Sequence, residues 1–112
     1  MWDKLEETEK RYEELTREMG RPEVAADFQR LQSLAKDRAS LQDIVELYRQ
    51  FKRLDAALTE ARAMAEDGSD PELAALARDE TAGLTQERDR LEQEIRLALA
   101  PKDRYDERNV IV

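Results

Sequence analysis

The chain has 112 residues, of which 41% are charged and only 5% aromatic, with a formal net charge of −8. It contains neither cysteine nor histidine, which excludes disulfides, thiol chemistry, the usual zinc ligand sets and every Ser-His or Cys-His nucleophile pair. The negative charge also argues against unspecific binding of the whole surface to nucleic acid or anionic membrane.

Such a composition fits one domain of long helices that bury a narrow apolar seam. The N-terminal stretch "MWDKLEETEKRYEEL" has no apolar core of a signal peptide. The longest apolar run, Leu73-Ala74-Ala75-Leu76-Ala77, is far shorter than a membrane span. The expectation is a soluble, cytoplasmic protein.

In the first segment Leu5, Thr8, Tyr12, Leu15 and Met19 recur at steps of three and four, the spacing of one helix face. Glu6-Lys10, Glu7-Arg11 and Glu13-Arg17 supply i,i+4 pairs with the acid first. Gly20 is placed to cap in a left-handed conformation and Pro22 to prevent continuation, so helix one is predicted over 2–19. After "GRPEVAAD", with Asp27 as N-cap, a second helix is predicted over 27–66. Its stripe begins at Phe28, Leu31 and Leu34. It runs on through Leu41, Ile44 or Val45, Tyr48, Phe51, Leu54 and Leu58 to Ala61. The stripe widens around 41–51, which predicts two neighbours there, the first and third helices.

"EDGSDPEL" closes the second helix and opens the third. Gly68 suits the C-cap, Ser69 or Asp70 the N-cap, and Pro71 the first helical position, while Glu72 completes a capping box with Ser69. The third helix, predicted over 71–99, carries Leu73, Leu76 or Ala77, Leu84, Leu91, Ile95 and Ala98. A short connection between two long helices reads as an antiparallel hairpin. The fold class is therefore all-α: a long helical hairpin with an N-terminal helix packed on it. Gly83 reads as a surface glycine, with close approach of another backbone as the alternative. After Pro101 the helical period is lost, and Asn109-Val110-Ile111-Val112 reads as the start of a strand.

The acids Glu6, Glu7, Glu13, Glu14, Glu92 and Glu94 lie away from the seam and alternate with Lys and Arg, as on solvated helix faces. Two basic clusters remain. One is Arg49, Lys52 and Arg53, which helix-solubilising charge explains as well as phosphate contact does. The other is Arg96, Lys102, Arg104 and Arg108, near the C-terminal end. Trp2 either joins the core or stays partly exposed as a contact residue. The serines and threonines have no base to activate them, so no catalytic residue, metal or cofactor is expected. The residues alone describe an acidic, non-enzymatic interaction module.

The ordered set "MWDKLEETEKRYEEL", "RPEV", "LAKDRASLQDIVELYRQFK", "DPELAALARDE" and "PKDRYDERNVIV" resembles the N-terminal domain of the bacterial peptide chain release factor 1 family, over the whole chain. Its most specific parts are Asp70-Pro71-Glu72-Leu73 and the stretch from Pro101-Lys102-Asp103 to Asn109-Val110-Ile111. The Pro-Lys-Asp connection is similar to that of factors reading UAA and UAG, and is generally missing from the UGA-reading type. The resemblance implies a fragment of a longer factor, with a helical domain over 1–100 and a linker with first strand residues over 101–112. It further implies that decoding and peptidyl-tRNA hydrolysis reside outside these residues. It implies docking at the stalk base of the large ribosomal subunit, against protein and rRNA, and contact with the class-2 release factor GTPase. Gly68, Ser69, Asp70, Arg96 and Lys102 are the candidate contact residues; neither a membrane nor a small-molecule substrate is expected. The alternatives are a free-standing acidic coiled-coil adaptor that dimerises and the helical arm of a tRNA-binding enzyme such as seryl-tRNA synthetase, for which a more basic face is expected.

Overall fold

The computed structural model describes residues 1–101, among which no strand occurs. Four helices follow in chain order: α1 Trp2–Met19, α2 Pro22–Ala25, α3 Phe28–Glu66 and α4 Pro71–Leu99. The class is all-α, as the charge-rich periodicity predicts. Contacts divide the chain into one unit of residues 1–53 and another beginning at Leu54, with α3 contributing to both.

In the first unit α1 buries Leu5, Tyr12 and Leu15, while Thr8 and Met19 are half-covered. The partners across the two helices run in opposite directions along the chain. Trp2 stacks on Phe51 with ring centroids 4.4 Å apart, Glu9 meets Arg49 and Lys52, and Thr16 meets Arg38. α1 therefore lies antiparallel on the first part of α3. Gly20 ends α1 in a right-handed conformation, φ −84° and ψ −5°, with its N–H donating to the Arg17 carbonyl at 3.1 Å. No left-handed cap is needed, because the chain turns directly into α2.

The sequence reading treats "RPEV" as a plain break, whereas it forms the single turn α2. Pro22 starts this turn, and Val24 is fully buried. Asp27 then caps α3 as expected, its Oδ1 accepting from the Arg30 N–H at 3.2 Å. Phe28 does not join the seam: it is 70% exposed. The Trp2–Phe51 and Thr16–Arg38 pairings bring the end of α1 level with roughly residue 35 at the usual rise per residue. Phe28 lies beyond that cover.

In the second unit the end of α3 and α4 form the antiparallel hairpin, with the Arg88 guanidinium 3.1 Å from the Asp55 carboxylate. Leu58, Ala61, Ala74, Ala77, Leu91 and Ile95 are its buried side chains. The start of α4 corrects the prediction at Leu73 and decides between Leu76 and Ala77. Leu73 and Leu76 are 50% and 64% exposed, and Ala74 and Ala77 take the seam. A four-residue connection holds two helix axes close together, and alanine suits that separation better than leucine. Near Gly83 nothing lies within 4 Å of where a Cβ would sit, so it is a surface glycine with no backbone packed on it.

Candidate functional site

Arg49 and Lys52, two of the three bases in the first basic cluster, are paired with a carboxylate of α1. Glu9 has a side chain only 14% exposed and accepts at 2.7 Å from both Arg49 Nε and Lys52 Nζ. A second Arg49 nitrogen reaches Glu13 at 3.4 Å. The guanidinium also lies over the Tyr12 ring, whose other cationic neighbour is Arg38 at 4.4 Å from the centroid. Burial by itself would raise the Glu9 carboxyl, but the hydrogen bonds and charges of Lys52 and Arg49 outweigh it and hold it below its ordinary value. Arg49 is correspondingly raised, chiefly by its bond to Glu9. This cluster is a clamp between α1 and α3, in which Arg49 is half-buried while Lys52 and Arg53 remain exposed.

The threonine hydroxyls are occupied too. All five threonines donate to the carbonyl four residues earlier in their own helix, and Ser40 donates to the Asp37 carbonyl. Among the described residues, no group of three or more acidic side chains is placed to hold a metal ion. No helix among them is long and apolar enough to cross a membrane.

The hairpin turn has a defined polar frame. Asp67 Oδ1 accepts from the Ser69 N–H at 3.0 Å, and this bond, with one from the Ser69 hydroxyl, lowers the Asp67 carboxyl. Asp70, not Ser69, is the N-cap of α4, its Oδ1 accepting from the N–H groups of Glu72 and Leu73 at 3.0 and 3.3 Å. Asp67, Ser69 and Asp70 line a shallow pocket of about 50 Å³ together with Met64 and Leu73. Gly68, Ser69 and Asp70 thus sit together at the tip. Arg96 does not join them. It lies 26 residues along α4 from Asp70, about 39 Å at 1.5 Å per residue, and its guanidinium is taken by Glu92 at 2.9 Å. Lys102 lies outside the described residues, as do Arg104, Arg108 and the β-like ending.

The PCRF domain model matches residues 8–112. The chain belongs to the PCRF domain family. Its whole length is 43% identical to a protein named peptide chain release factor 1 from Myxococcus xanthus. The same holds at 40% for one from Acidobacterium capsulatum and at 39% for one from Carboxydothermus hydrogenoformans. In each case the PCRF domain chain spans about 31% of the relative's length. No solved structure matches it.

Charge is unevenly spread along this PCRF domain. Residues 1–53 carry twelve acids and eleven bases, whereas residues 54–101 carry twelve acids and five bases. The excess gathers at the hairpin tip, where residues 60–80 hold seven acids and two arginines. Beside these acids stand Met64, Leu73 and Leu76, large apolar side chains left in solvent. The helical period alone places Leu73 in the seam, followed by either Leu76 or Ala77. Ala74, three residues before Ala77, was the available sign that the buried face runs through the alanines. At this tip the Asp70 cap is worth about 1 kcal/mol. Asp70→Ala is expected to lower the thermal midpoint accordingly while Ser69→Ala leaves it unchanged; equal effects would assign the cap to both.

Proposed function

We propose that this PCRF domain is the helical N-terminal part of a translation termination factor that reads UAA and UAG, and that it positions the factor on the ribosome. The carrying observation is similarity over the entire chain to proteins named peptide chain release factor 1, of which it spans about a third. In this reading residues 1–100 dock near the stalk base of the large subunit, against protein and rRNA, and face the class-2 release factor GTPase. Residues 101–112 lead into the parts of the factor that decode and promote hydrolysis. The factor works in the cytoplasm, and this segment contributes no catalytic group. The occupied threonine hydroxyls and the clamped Arg49 and Lys52 support a role without chemistry. Gly68, Ser69 and Asp70 at the exposed tip are the favoured contacts, and Arg96 and Lys102 are the remaining candidates.

The test uses ribosomes halted at a stop codon with a labelled peptide on the tRNA. The 112-residue chain alone is expected to release no peptide, and in excess to slow release by the intact factor. Release by the chain alone would overturn the division of labour, and absence of competition would overturn the docking role.

A further inference from the structure

We propose that Met64, Leu73 and Leu76 form a docking ridge at the hairpin tip for a cationic, amphipathic segment of a partner protein, an inference that rests on the ribosome-docking role above. The ridge exists because of the register of α4. Ala74 and Ala77 fill the seam, so two leucines one position earlier point to solvent, more than half of Leu76 being uncovered. Leu73 and Leu76 are one helical turn apart and share a face of α4. Leu73 and Met64 line the same shallow pocket, which joins the two helices' contributions into one surface. Isolated apolar side chains on a surface are ordinary, but three grouped at one end of a hairpin mark an interaction site.

The surrounding charge selects the occupant. Residues 60–80 carry a net charge of −5, and Asp67 and Asp70 stand in the pocket wall itself. The Ser69 bonds hold the Asp67 carboxyl below its ordinary value. A second copy of this chain would bring −5 against −5. RNA phosphates and anionic lipid headgroups would meet the same repulsion. A small cation would have no use for the leucines. A protein segment with apolar anchors flanked by lysine or arginine satisfies both features: the ridge supplies the anchoring contact and the acids the steering. This narrows the protein-and-rRNA contact of the docking role, at the tip, to protein.

The test measures binding of the 112-residue chain to intact large ribosomal subunits and, separately, to deproteinised ribosomal RNA. The variant Leu73→Ala/Leu76→Ala retains helix propensity, and its fold is checked by circular dichroism. It is expected to bind intact subunits at least about tenfold more weakly, the loss usual for truncating anchor residues. Glu66→Gln/Glu72→Gln is expected to flatten the salt dependence of that binding, and deproteinised RNA to bind neither form. Unchanged affinity of the leucine variant would overturn the ridge while leaving docking intact. Equal binding to deproteinised RNA, or a dimer in sedimentation that the leucine variant abolishes, would overturn the choice of partner. Failure of the parent chain to bind subunits would overturn the docking role and the ridge with it.

Discussion

Leu58→Ala is expected to cost about 2–5 kcal/mol of unfolding free energy, the range for truncating a buried leucine. Leu58 is fully buried in the second unit, where three of the six buried side chains are alanines. Leu58, Leu91 and Ile95 therefore supply most of the apolar volume in that seam. Alanine there removes the transfer energy of the lost methyl and methylene groups and leaves a void that a helix pair of alanines cannot refill. Leu73→Ala is the matched control. The chemical change is the same, but half of Leu73 already lies in solvent, and its loss is expected to stay within about 0.5 kcal/mol. Urea unfolding of the two variants reads the difference directly. Equal costs would mean that the seam runs through Leu73 after all and would refute the register with Ala74 and Ala77 inside.

Removing the carboxylate at the centre of the clamp has the second largest expected effect. Glu9→Gln keeps the shape but takes away the charge that two cations share. The expected loss is about 1–2 kcal/mol, below the full value of a charged hydrogen bond because Arg49 and Lys52 can turn to water. The acid dependence has a definite sign. The Glu9 carboxyl is held below its ordinary value of 4.5 in the folded chain. Its contribution is thus complete above that value and is lost as pH falls through the lower, folded one. The parent chain should lose stability of the α1–α3 contact below about pH 4.5, and Glu9→Gln should lose less over the same interval. Trp2 is the only tryptophan and stacks on Phe51, so its fluorescence reports whether α1 stays seated. Identical acid profiles for parent and variant would remove Glu9 from the clamp.

Local chemistry made most of the helix ends readable from the residues. Asp27 and Asp70 carry short acceptors that reach the free N–H groups of the next turn, and Pro71 suits a first helical position where no donor is needed. Such signals act within four residues and need no neighbour. α2 was not readable in this way. One turn is too short to show a period, and Val24 is held by its burial in the unit and not by any propensity of "RPEV". The candidate site was legible only in part. Gly68, Ser69 and Asp70 stand together because they are consecutive. The predicted helix over 71–99 already placed Arg96 about 39 Å from them, and its i,i+4 spacing to Glu92 offered the pairing that the structure shows.

The sequence by itself determined an acidic chain, helical as far as Pro101, without thiol, imidazole or zinc-site chemistry. It also determined where the long helices begin and end, since composition and capping are properties of residues and their near neighbours. Only the tertiary structure decided which apolar residues are core and which are surface. A helix offers adjacent stripes about 100° apart, and the choice between Leu73/Leu76 and Ala74/Ala77 falls to the partner helix and the space it leaves. The same holds for charge. Arg49 and Lys52 look available for phosphate until α1 lays Glu9 between them, because an ion pair across helices depends on a neighbour forty residues away in sequence, beyond the reach of any local pattern.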